Sequence, residues 1–74
     1  MSMNEIAVMD RTGDSRTFWD SAEPDQVEAA RAVFDQLRAS GHMIYRATPE
    51  SSVQVHKFDP EAGKLVAVPR IVGG

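Results

Sequence analysis

Residues 24–41, PDQVEAARAVFDQLRASG, decide the fold. Val27, Ala30, Phe34 and Leu37 recur at spacings of three, four and three, which places them on one face of a 3.6-residue period. Glu28, Arg31, Asp35 and Arg38 fall largely on the other faces. Pro24 suits the first helical turn, where a missing N–H is harmless, and Asp25 and Glu28 favour the positive end of the dipole. Arg38 followed by Ser40 and Gly41 supplies a cation in the last turn and a glycine able to take the left-handed cap. The pattern predicts one amphipathic helix from Pro24, with an apolar stripe that needs a sheet to lie on.

Strand signals flank it on both sides. Upstream, residues 5–9 (EIAVM) form a short apolar run and residues 10–15 (DRTGDS) gather turn formers. Residues 16–20 (RTFWD) then carry residues that favour a pleated surface, so a β-hairpin is expected. Downstream, residues 42–47 (HMIYRA) predict a third strand. Period-two alternation sends Met43, Tyr45 and Ala47 to one face and His42, Ile44 and Arg46 to the other, and the first set reads as the core side. A turn at residues 48–52 leads to a strand over residues 53–58 (VQVHKF), with Val53 and Val55 on one face. A second turn at residues 59–63 leads to the last strand, residues 64–68 (KLVAV), stopped by Pro69. The order ββαβββ predicts an α+β layer pair with one helix on a mixed sheet.

Composition bounds the rest. Seventy-four residues allow one domain, and 42% hydrophobic against 26% charged residues is an ordinary globular balance. There is no cysteine, hence no disulfide, thiol nucleophile or zinc–thiolate centre. The net charge of −3 argues against phosphate-backbone binding, so no nucleic-acid partner is expected. No apolar run approaches the roughly 20 residues of a membrane span and the N-terminus lacks a signal-peptide layout, so no membrane partner and a cytoplasmic location are expected. His42 and His56 are the only histidines and lie far from any convergent ligand set, so no metal site is expected. Ser51 or Ser52 with His56 and Asp59 would all sit on one short turn and strand without an oxyanion loop, so the chain is expected not to be an enzyme and to bind no cofactor.

The sequence closes on Pro69-Arg70-Ile71-Val72-Gly73-Gly74. A hairpin, a crossover helix and further strands closing the sheet is the order of the β-grasp fold. With the closing glycine pair, the chain resembles ubiquitin-like proteins and the sulfur carriers of the molybdopterin-synthase small-subunit and thiamin types. The Pro-x-x-x-Gly-Gly arrangement is similar to the molybdopterin-type ending. The sulfur carriers' turns before the helix and before the last strand differ from DSAEP at residues 20–24 and DPEAG at residues 59–63. The whole is therefore closer to small ubiquitin-like proteins of bacterial operons that also encode activating, conjugating and deconjugating enzyme homologues.

The resemblance implies a ubiquitin-like domain over residues 1–69 and a flexible tail over residues 70–74. It implies a modifier whose Gly74 carboxylate is adenylated with ATP on an activating enzyme and joined to an amine of a target protein. A conjugating enzyme and a deconjugating peptidase are the further partners. Glycines at 73 and 74 fit that chemistry, because a backbone without Cβ can lie flat in a narrow channel and leave its terminal carbonyl open to attack. Extended at about 3.3–3.6 Å per residue, the five residues after Pro69 reach roughly 17 Å. Arg70, Ile71 and Val72 are the expected recognition segment. Residues 64–74 carry +2 through Lys64 and Arg70 while residues 1–63 carry −5, so an acidic partner groove can read the tail.

Two alternatives stand beside the modifier. One is a sulfur carrier with a Gly74 thiocarboxylate; the other is a non-catalytic interaction module that binds through its sheet. Phe18 and Trp19 are neighbours on one strand and cannot share a face, so one of them points outward. Trp19 with Ile44 is the expected partner-binding patch on the free sheet face. Lys57 and Lys64, the only lysines, are the candidate acceptors if chains form through isopeptide bonds.

Overall fold

A computed structural model describes residues 3–10 and 13–69. Strands β1 (Met3–Asp10) and β2 (Gly13–Asp20) form the expected hairpin, longer than its apolar runs alone suggest. Helix α1 (Pro24–Ala39) follows, then β3 (Met43–Ala47), β4 (Ser52–Gln54) and β5 (Lys64–Val68). The five strands make one mixed sheet in the order β2-β1-β5-β3-β4, with β1 and β5 parallel and every other neighbouring pair antiparallel. Parallel neighbours require a crossover, and the segment between β2 and β3 supplies it as the helix. The fold is α+β, one helix packed on a mixed five-stranded sheet.

The helix begins and ends where its sequence directs. Pro24 occupies the first turn and Glu23 is the extended N-cap, without a side-chain cap bond. The Asp20 N–H instead donates to Gln26 Oε1 at 2.8 Å, and Asp20 Oδ1 accepts the Ala22 N–H at 2.9 Å, which fixes the turn entering the helix. At the other end His42 N–H donates to the Leu37 carbonyl and Gly41 N–H to the Arg38 carbonyl, a Schellman closure. It requires a left-handed residue, and Gly41 provides it at φ +89°.

The stripe Val27, Ala30, Phe34 and Leu37 faces the sheet, joined by Val33. Beneath it lie Ile6 and Val8 of β1, Trp19 of β2, Ile44 of β3, and Leu65 and Ala67 of β5. The cross-strand register explains the set: Ile6 lies opposite Leu65, Val8 opposite Ala67, and Ala67 opposite Ile44, so all share one face.

Two expectations are corrected. The core side of β3 is that of Ile44, not of Met43 and Tyr45: Ile44 is 1% exposed and belongs to the core, while Met43, Tyr45 and Ala47 take the opposite face. Arg46 shares the face of Ile44 yet is exposed, so helix cover ends between them. The fourth strand is also shorter than predicted. After Val55 N–H donates to the Ile44 carbonyl, the chain leaves the sheet. In a continuous strand Phe58 would share the parity of Gln54 and point away from the helix. Leaving the sheet brings Phe58 round to the core, 5.3 Å from the Trp19 ring and 5.6 Å from the Phe34 ring.

A buried polar clamp closes this end. Asn4, 3% exposed, accepts the Gly63 N–H on Oδ1 at 2.9 Å and donates from Nδ2 to the Trp19 carbonyl at 3.4 Å. Trp19 Nε1 donates to the Pro60 carbonyl at 2.9 Å. Gly63, at φ +82°, then turns the chain into β5.

Candidate functional site

Residues 70–74 lie outside the described residues, so Arg70, Ile71, Val72, Gly73 and Gly74 receive no placement. Their root is well defined. β5 lies between β1 and β3, with Leu65 between Ile6 and Arg46 and Ala67 between Val8 and Ile44. Val68, its last residue, lies opposite Met43, the first residue of β3. Pro69 therefore leaves a strand paired on both sides, at the end of the sheet where α1 finishes.

The expected patch of Ile44 and Trp19 does not exist on the free face. Trp19 is 0% exposed and both residues belong to the core under α1. Trp19 lies opposite Asn4 and next along the strand to Phe18, which lies opposite Glu5 on the uncovered side. Phe18 is therefore the outward aromatic, 55% exposed, and the indole is the inward one because Pro60 satisfies its N–H.

The register assigns the uncovered face residue by residue. β1 contributes Met3, Glu5, Ala7 and Met9, and β2 contributes Arg16 and Phe18. Val66 and Val68 come from β5, and Met43 and Tyr45 from β3. Met3, Met9 and Phe18 are exposed. Ala7 is 1% exposed yet belongs to no part of the helix-side core, because it sits mid-face between Arg16 and Val66. The polar members are partly tied down: Arg16 Nε lies 3.5 Å from Glu5 Oε2, and Tyr45 donates its hydroxyl to Met43 Sδ at 3.9 Å. The exposed Met3, Met9 and Phe18 side chains leave apolar surface open on this side of the sheet. The signal for it was present in the hairpin, since pairing fixes Phe18 to the parity of Arg16 and Trp19 to that of Thr17.

Both lysines are exposed. Lys64 starts β5 opposite Glu5 on the uncovered face, and Lys57 lies in the segment that follows β4. His42 and His56 both line a cleft beside the end of α1 that also contains Arg38. Among the described residues no group of three or more His, Cys, Asp or Glu side chains is placed to hold a metal ion, and no helix is long and apolar enough to cross a membrane. Asp59 Oδ1 accepts the Glu61 N–H at 2.9 Å and Thr48 Oγ1 accepts the Ser51 N–H at 3.0 Å, so both groups serve their own turns.

Comparison with family models, curated proteins and solved structures finds no match to this chain. The functional reading therefore rests on geometry and chemistry.

Proposed function

We propose that this chain is a β-grasp, ubiquitin-like protein modifier that acts through the carboxylate of Gly74, whether that group is the encoded end or is uncovered by a peptidase. The observation that carries the reading is the placement of β5. It returns parallel to β1 in the middle of the sheet, with the helix crossing over one face, an arrangement compatible with a β-grasp. Directly after it comes Pro69-Arg70-Ile71-Val72-Gly73-Gly74. A strand paired on both sides is a rigid base from which a short segment can be presented to an enzyme channel.

The chemistry belongs to the partners. A carboxylate is a poor electrophile, so the activating enzyme first joins it to ATP, forming a Gly74 acyl-adenylate and releasing pyrophosphate. A partner thiol then displaces AMP to give a thioester. A target amine displaces the thiol, forming the amide and returning the proton to solvent. The chain supplies the acyl group, the tail that is threaded, and a surface to be held. It is the substrate of these steps and is proposed to catalyse none.

Trypsin digestion of proteins from the native host tests this reading. Cleavage after Arg70 leaves Ile-Val-Gly-Gly, not a bare diglycine, on each modified lysine. Detection of that remnant is the expected result. A mass gain equal to sulfur for oxygen on the intact protein would transfer the assignment to the sulfur-carrier class. Full function after deletion of Gly73 and Gly74, with neither signature, would overturn both.

A second reading, an interaction module, is favoured by the uncovered sheet face. There Phe18→Ser abolishes function while deletion of Gly73 and Gly74 leaves it intact. The modifier reading requires the deletion to abolish conjugation in every background.

A further inference from the structure

A cleft of about 400 Å³ opens between the end of α1, the start of β3 and the segment after β4. Its lining includes Arg38, His42, Met43, Gln54, Val55 and His56. No lining residue is acidic, in a chain whose net charge is −3. Every polar side chain here can donate a hydrogen bond, and Arg38 is a permanent cation.

Three features make this more than a chance gathering. Arg38 is held in place by a neutral partner, since its Nη1 donates to the His56 carbonyl. Arg16 and Arg31, by contrast, lie beside Glu5 and Glu28. The guanidinium of Arg38 thus keeps its charge uncompensated by any carboxylate among the described residues. Next, His42 and His56 line the cleft beside Arg38 and bring no negative charge to it, the Nδ1 of His42 being shut away from solvent. Finally, the negative end of the helix dipole, which opposes an anion, is occupied by its own cap. The Gln36 carbonyl accepts from the backbone N–H and hydroxyl of Ser40, the Leu37 carbonyl from His42 N–H, and the Arg38 carbonyl from Gly41 N–H.

We propose that this cleft is a docking site for an acidic segment of a partner protein, a Glu or Asp side chain set beside an aliphatic one. Charge complementarity selects the carboxylate, which Arg38 can take with two parallel N–H bonds. The apolar lining from Met43 and Val55 selects the neighbour, because a bare inorganic anion would cover the cationic wall and leave the apolar wall wet. The cleft adjoins the root of residues 70–74, since Met43 lies opposite Val68. A partner that holds the end of β5 therefore meets the cleft as well. The site does not depend on conjugation through Gly74 and stands if that reading fails.

The test is a nitrogen-15 NMR titration of the full chain with acetyl-Glu-Glu-Leu-Glu-Glu-Leu-amide and, separately, with inorganic phosphate. The peptide is expected to give saturable shifts at Gly41, His42, Gln54 and His56, and phosphate only weak, unsaturated ones. Arg38→Gln is expected to weaken the peptide roughly tenfold, the scale of one charge-assisted bond. His56→Gln, an exposed position, provides a second variant if the first does not fold, and is expected to weaken binding to a smaller extent. Deletion of Gly73 and Gly74 is expected to leave the titration unchanged, which separates this site from the tail chemistry. Absence of saturable shifts, shifts centred on Phe18 and Tyr45, or equal binding of phosphate alone would each overturn the proposal.

Discussion

The two faces of the sheet are built from similar residue types and treated differently. On β2, Trp19 is fully buried and its neighbour Phe18 is 55% exposed; on β3, Ile44 is buried and its neighbours Met43 and Tyr45 are only half covered. Hydrophobicity does not separate these pairs. On β2, what does is whether the polar requirements of the side chain and its backbone are met on the covered side. The indole goes inward because Pro60 accepts its N–H, because Phe58 and Phe34 pack around it, and because Asn4 takes up the Trp19 carbonyl. Phe18 brings no such need and lies over the Glu5–Arg16 side, where a partner can use it.

The largest expected break in this contrast is Trp19→Ala. Truncating a buried aromatic costs about 3–5 kcal/mol, while a chain of this length has about 4–11 kcal/mol in total. Urea denaturation followed by circular dichroism should show Trp19→Ala unfolded in little or no denaturant. A Trp19→Ala midpoint close to that of Phe18→Ala would place the indole on the surface and undo the assignment of faces. Next in size is Ile44→Ala, expected to lose about 2–5 kcal/mol against less than about 1 for Met43→Ala. Equal losses at the two positions would mean that β3 is turned over, with Met43 inward.

Much of the covered layer was legible in the sequence. The helix was, because Pro24, the stripe from Val27 to Leu37, and Gly41 agree on where it starts, what it buries and where it stops. The last strand was, between Gly63 and Pro69. The parity of β3 was not, because local alternation offers Met43 and Tyr45 against one isoleucine flanked by His42 and Arg46. The choice is made by long-range pairing, with Ile44 opposite Ala67 and under α1 while Arg46 sits past the edge of the helix. Phe58 escaped for a related reason: its run reads as a strand, and only the buried indole of β2, at the opposite edge of the sheet from β4, gives it a reason to leave the sheet. Of the site, the glycine pair is read from the sequence alone, since residues 70–74 lie outside the described residues, whereas the cleft at Arg38 was not legible, since it joins residues 18 apart in sequence.

Smaller again, and a test of the polar logic of the covered face, is Asn4→Ala. Asn4 is the one buried polar side chain among the described residues, and its amide serves the Gly63 N–H and the Trp19 carbonyl. Removing it leaves the Gly63 N–H at the entrance to β5 and the buried Trp19 carbonyl without that partner, at about 1–3 kcal/mol. The loss should appear as a lower urea midpoint with an unchanged slope, since the unfolded state and the buried area hardly change. Amide exchange at Gly63 should accelerate. A stability loss without faster exchange there would mean that Asn4 acts through packing alone.

The smallest expected effect is the most informative about function. Phe18→Ser removes an exposed ring from the uncovered face, touches none of the core, and keeps a strand position opposite Glu5. Substitutions at such sites usually change stability by less than about 0.5 kcal/mol, and losing an exposed aromatic with β propensity pushes weakly toward destabilisation. If stability is retained, any functional loss in the same variant belongs to binding, because the fold has not paid for it. A loss above about 2 kcal/mol would instead mean that Phe18 is buried by something within the chain, and the uncovered face would cease to be a free surface. Measured alongside deletion of Gly73 and Gly74, the variant also separates being held from being joined. A modifier needs its tail for conjugation even when its face is intact, and a module that works by docking alone needs only the face.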